Sequence, residues 1–162
     1  MLSPYSRTYI TRGVAGTPGV LRHLLQGLDS DAKVWDFRPN PERFTLREVL
    51  AHLADYDDVS RERFQRIINE DSPELPNWDE DEAVITGNYA AADPLATLAR
   101  LAASRQQLGE FLAARAEEDW ARTASRPQAG RHTLEEGAIL LVAHDTYHVQ
   151  QVVEWLEQFN QK

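Results

Sequence analysis

The chain has 162 residues, enough for one compact domain over 1–162 with a sizeable core, and 42% of them are hydrophobic, an ordinary globular fraction. A formal net charge of −9 argues against a nucleic-acid footprint, and the absence of cysteine removes disulfides, thiolate metal ligands and a cysteine nucleophile together. The opening stretch MLSPYSRTYITRGVAG lacks a continuous apolar segment, so no signal peptide is expected, and no run approaches the ~18 apolar residues of a membrane span. The expectation is a cytoplasmic protein whose partner is a small molecule, not nucleic acid or a membrane.

Four helical patterns follow in chain order. The first runs from about Tyr9 to Gly27, with Ile10, Val14, Leu21, Leu24 and Leu25 at helical spacing and Leu28 just beyond. Gly16, Pro18 and Gly19 weaken its middle and predict a later start or a kink. A loop rich in turn formers leads to the second pattern, residues 45–69, where Thr45 and Glu48 form a T-x-x-E capping box. Leu46, Val49, Leu50, Leu53, Tyr56, Val59, Phe64, Ile67 and Ile68 give it a broad apolar face.

The next segment, EDSPELPNWDEDEAVITGNYAA, is long and acidic and reads as a solvated rim with room for a short helix. Asp93 as N-cap with Pro94 at the first helical position starts the third pattern, which fades near Glu118. The last begins at a second capping box, Thr133 with Glu136, and continues to Phe159. No β-alternation stands out, and no internal repeat. The predicted fold is all-α, a four-helix bundle with long connections.

The last helix carries HDTYHVQQ, residues 144–151. His144 and His148 are four apart and share one face, the same stripe as Leu134, Ala138, Leu141, Val152, Trp155 and Phe159. On the second helix His52 lies on the stripe of Thr45, Val49, Tyr56 and Val59. Three imidazoles therefore point toward the bundle interior from two helices. His52 is seven residues past its capping box, about 10 Å along the axis, and His144 and His148 are eleven and fifteen past theirs, about 16 and 22 Å. An offset of one to two turns brings all three together.

Three neutral imidazoles suit one divalent ion, zinc or nickel, and leave coordination positions open to water or substrate. Histidines packed in the core as hydrogen-bonded polar residues are the alternative. A zincin needs H-E-x-x-H, whereas HDTYH places Asp145 where the glutamate belongs. A carboxylate-bridged di-iron bundle needs Glu three residues before a ligand His, and none of the three has it. Asp55, three residues past His52, and Asp145, three before His148, are each placed to accept a hydrogen bond from a ligand imidazole, with an ordinary surface charge the bland reading and the one favoured for Asp145. Gln151 is a third such candidate. Tyr56 and Arg63 are candidate substrate contacts, Arg63 for an anionic group, with core packing for Tyr56 and a surface salt bridge for Arg63 the ordinary and favoured readings. His132 belongs with the helix start, and His23 is structural.

AHLADYD on the second helix and LxxxHDxxHxxQ on the last, with the TLREVL and TLEEGA helix starts, resemble the DinB-like superfamily. The resemblance covers nearly the whole chain in segment order. It implies a four-helix bundle that binds one divalent metal through His52, His144 and His148. It further implies either transfer of a low-molecular-weight thiol, of bacillithiol or mycothiol type, to an electrophile, or a related metal-dependent hydrolysis. In such transferases the metal holds the cosubstrate thiol as thiolate, and a chain without cysteine would import that thiol. A homodimer is compatible with the resemblance. A non-catalytic metal-binding module, a stress-related scaffold or a dimerisation protein with packed histidines is the competing reading.

Overall fold

The computed structural model describes residues 2–127 and 130–161. Its bundle consists of α1 (Pro4–Leu24), α2 (Leu46–Asn69), α4 (Pro94–Ala113) and α5 (Leu134–Asn160), with a short α3 (Glu80–Thr86) and a hairpin of β1 (Thr123–Arg126) and β2 (Gly130–Thr133) in the connections. The all-α four-helix architecture is the one the periodicity predicts. Each of α1 and α2 packs against both α4 and α5, so the helices run α1–α4–α2–α5 around the bundle.

The helix starts follow the capping chemistry. In both boxes the threonine hydroxyl, on Thr45 or Thr133, accepts the backbone N–H of the glutamate three residues on, and that glutamate's carboxylate accepts the threonine N–H. Asp93 accepts from the Ala96 N–H ahead of Pro94.

Two expectations are corrected. The first helix starts at Pro4, earlier than Tyr9, capped by Ser3, and runs through Pro18. Pro18 has no N–H to offer the carbonyl of Val14, but the Arg105 guanidinium reaches that oxygen at 3.4 Å and helps the helix tolerate it. The linker after α4 is not irregular throughout. Thr123–Arg126 pairs antiparallel with Gly130–Thr133, and Ser125 also exchanges backbone hydrogen bonds with the segment at Pro73 and Leu75. The four-residue strands TASR and GRHT carry too little alternation to be read as strands.

The core is divided into two apolar clusters. One contains Leu21, Trp35, Leu50, Leu53, Leu101 and Trp155, the other Val14, Phe64, Ile67, Leu108, Trp120, Leu134 and Leu141. Between them each bundle helix contributes a buried polar side chain at the same level: Thr17 from α1, Asp57 from α2, Arg105 from α4 and Asp145 from α5. That polar layer positions the site.

Candidate metal centre

Arg105 is fully buried. Its Nη1 and Nη2 donate to Asp145 Oδ2 and Oδ1 at 2.7 and 2.8 Å, a bidentate pair. Its Nε lies 2.6 Å from Asp57 Oδ1, a close ion contact without the alignment of a hydrogen bond. Thr17 completes the layer by donating its hydroxyl to Asp145 Oδ2 at 2.6 Å. Burial raises the Asp145 carboxyl, but the adjoining His144 imidazole, the Arg105 charge and the hydrogen bonds from Arg105 and Thr17 outweigh it and hold Asp145 below the ordinary carboxylate range. Asp57 goes the other way, because its burial outweighs the pull of Arg105 and of the nearby Ser104 hydroxyl. The surface-charge reading of Asp145 is therefore overturned: the side chain is 2% exposed and ties α5 to α1 and α4.

Immediately beside this layer the three histidines converge. His52 Nε2 and His144 Nε2 are 2.9 Å apart, and each residue offers a ring nitrogen within 4.8 Å of the others. Nitrogens bound to a common ion at about 2.0–2.1 Å stand roughly 3–4 Å apart, so the trio needs little adjustment to hold one. His52 and His148 are buried, and His144 is half-buried. Burial, with the neighbouring His148 and His144, pushes His52 down to about 3. Burial and His144 push His148 down to about 4, against a raising hydrogen bond with Gln151. Both imidazoles are thus neutral at pH 7, the protonation state a metal ligand requires.

The tautomer of His148 follows from its surroundings. The Gln151 amide nitrogen donates to the Phe44 carbonyl at 2.7 Å, and a carbonyl accepts only from that end of the amide. The Gln151 Oε1 then faces His148 Nδ1 at 3.3 Å and accepts its proton. That leaves the His148 Nε2 lone pair for the centre. Trp155 donates to the same Phe44 carbonyl at 2.8 Å, which anchors the whole relay to the loop before α2. The Nδ1 atoms of His52 and His144 are buried without a hydrogen-bond partner among the described residues, and His144 Nδ1 is 3.9 Å from Asp145 Oδ1.

A cavity of about 420 Å³ opens onto the three histidines, with Phe44, Gln151, Tyr147, Arg43, Glu42, Glu80, Asp81 and Val84 around it. The acidic rim segment thus supplies cavity wall as well as solvated surface. Aromatic rings enclose the imidazoles: Tyr56 is 4.3 Å from the His144 ring, Phe44 5.1 Å and Trp78 5.5 Å from the His52 ring. Arg43 stacks on Trp155 at 4.4 Å and pairs with Glu154 at 2.7 Å.

Of the other residues singled out in the sequence, Gln151 reaches a histidine as described and Tyr56 lies against two of them. Asp55 instead pairs with Arg100 at 2.6 Å. Arg63 is buried, donates to the Pro76 carbonyl at 3.1 Å, and lines a separate 120 Å³ cavity with Trp78. His132 is half-buried on β2 and His23 is exposed on α1. Sequence reasoning missed Arg105 and Asp57. A signal existed, because Arg105 stands four past Leu101 and three before Leu108, and Asp57 four past Leu53, each on an apolar stripe.

The family model of the DinB superfamily matches residues 15–152. The chain belongs to the DinB superfamily. Among solved structures, YfiT from Bacillus subtilis, described as a probable metal-dependent hydrolase with an unusual four-helix bundle topology, superposes with a TM-score of 0.90 at 22% identity, covering 99% of this chain and 91% of that one. At that identity the likeness shows a shared fold alone. A comparison with curated proteins gives no match. Among the described residues no helix is long and apolar enough to cross a membrane.

Proposed function

We propose that this DinB-superfamily chain is a divalent-metal-dependent enzyme, with zinc or nickel held by His52, His144 and His148, that transfers a low-molecular-weight thiol to an electrophilic small molecule. The observation that carries the reading is the convergence of three imidazoles on one wall of a 420 Å³ cavity, in a chain with no cysteine of its own. A divalent ion held by neutral imidazoles keeps its full charge and lowers the pKa of a coordinating thiol or water. The chain's own residues do the rest. Gln151 and the Phe44 carbonyl fix the His148 tautomer. Phe44, Tyr56 and Trp78 keep bulk water off the imidazoles. Arg43, held by Glu154 and stacked on Trp155, presents a fixed positive charge at the cavity wall for an anionic group on the thiol or the electrophile.

Hydrolysis is the second reading, favoured by the carboxylates of Glu80 and Asp81 on the same cavity wall, which are general-base candidates, and by the description of YfiT. The deciding experiment is metal content by elemental mass spectrometry for the untagged chain and His52→Ala, then turnover of a chlorodinitrobenzene electrophile and of an activated ester or amide, each with and without added bacillithiol or mycothiol. About one ion per chain, lost in the variant, with thiol-dependent turnover supports transfer. Turnover without thiol selects hydrolysis. An ion without turnover of either kind selects the non-catalytic module, and no ion after incubation with zinc and nickel refutes the metal site.

A further inference from the structure

A second cavity of about 420 Å³ lies away from the histidines, between the first turns of α1 and the last turn of α4. Its wall includes three arginines, Arg7, Arg12 and Arg115, against one carboxylate, Glu117. That is a local excess of positive charge in a chain whose net charge is −9. The three are held differently. Arg7 is 4% exposed, donates through Nε to Glu135 at 2.9 Å and lies over the Trp120 ring at 5.5 Å, yet its Nη2 is buried without a hydrogen-bond partner among the described residues. Arg115 donates Nε to the Phe111 carbonyl, and its nearest carboxylate, Asp119, is 3.9 Å from Nη1. Arg12 is exposed and makes no ion pair among the described residues. Buried guanidinium N–H groups are normally matched by an acceptor, and guanidinium forks recognise carboxylates in a planar, two-bond geometry. Pro4, Leu112, Ala113 and Trp120 make the rest of the wall largely apolar, with Thr8 and Thr11 beside them.

We propose that this cavity is a ligand site for a small organic carboxylate: the carboxylate is held between Arg12 and Arg115 with Arg7 behind them, and the apolar body rests against Leu112 and Pro4. The apolar part of the wall separates this ligand class from inorganic phosphate, which has no apolar body to rest there. The site shares none of its lining with the histidine cavity and does not depend on the metal.

The test is calorimetric titration of the full chain at constant ionic strength with benzoate, hexanoate and inorganic phosphate. It is repeated on Arg12→Ala/Arg115→Ala and on His52→Ala, with far-ultraviolet circular dichroism to confirm that each variant is folded. Arg7 is left intact because its pairing with Glu135 holds α1 to α5. The expected result is saturable carboxylate binding at about one per chain, weakened at least tenfold in the double arginine variant and unchanged in His52→Ala. No saturable binding of benzoate or hexanoate, binding that survives loss of both arginines, or phosphate binding tighter than either carboxylate would each overturn the proposal.

Discussion

The sharpest perturbation of this molecule is Arg105→Met. Methionine keeps much of the side-chain length but removes the one cation between Asp57 and Asp145, which are 0% and 2% exposed. Breaking a buried pair by deleting one partner costs about 3–5 kcal/mol, because the remaining charge is left desolvated and unmatched. Against a typical stability of about 5–15 kcal/mol, that is a large share, and for a domain of this size it corresponds to roughly 6–20 °C in Tm. The loss carries a pH signature with a definite sign. In the parent chain Asp145 sits below the ordinary range, so its contribution is present above the unfolded value of about 3.9 and is lost only as pH falls through the lower folded value. Without Arg105 the buried carboxylates shift upward, so the folded state takes up protons at a pH where the unfolded state does not. The penalty is then largest at pH 7 and shrinks as pH falls through the raised folded value. Urea denaturation followed by circular dichroism at pH 7 and pH 5, with chelator present so that metal binding does not contribute, measures both effects. A loss under about 1 kcal/mol at pH 7, or a loss of equal size at the two pH values, refutes the account of the polar layer.

Three further outcomes follow from the site and the packing around it. Gln151→Ala frees the His148 tautomer and should weaken metal affinity about 10–100-fold with the helices intact, as read by competition with a chelator of known affinity. His148→Ala should lose tight metal binding while its circular dichroism keeps the parent helical content, and a full complement of metal in that variant removes the ligand assignment. Gly137→Ala places a Cβ 2.9 Å from Phe64 Cε1 in a buried contact between α2 and α5, so it should cost about 1–3 kcal/mol in urea despite alanine's better helix propensity, and a gain in stability would show that Phe64 moves aside freely.

How much of this was legible in the sequence depended on the range of the interaction. The caps at Thr45, Asp93 and Thr133 are local hydrogen bonds between residues three apart, and each starts its helix where the residue types said it would. The shared face of His144 and His148 is also local, set by helical period alone, and the structure brings both to His52. The order α1–α4–α2–α5 is a long-range property that no segment encodes by itself. The persistence of α1 through Pro18 is similar, since the Val14 carbonyl meets a guanidinium from a helix about ninety residues away in sequence. Asp145 was misread because a carboxylate on a helix is usually solvated, and only the position of Arg105 on the neighbouring α4 makes burial affordable.

The polar layer and the histidine trio are best understood together. Each bundle helix brings a buried polar side chain to the same height, Thr17, Asp57, Arg105 and Asp145, and His144 directly precedes Asp145 in the chain. Fixing Asp145 through three hydrogen bonds from α1 and α4 therefore fixes the turn of α5 that carries His144, while the Phe44 carbonyl fixes the next turn through Gln151 and Trp155. An apolar layer would pack at no desolvation cost, but it would set neither the rotation nor the height of α5 against its neighbours so narrowly. Two anchors on successive turns, one charged and one neutral, hold the imidazoles of α5 toward His52 on a helix that α5 meets mainly through apolar contacts.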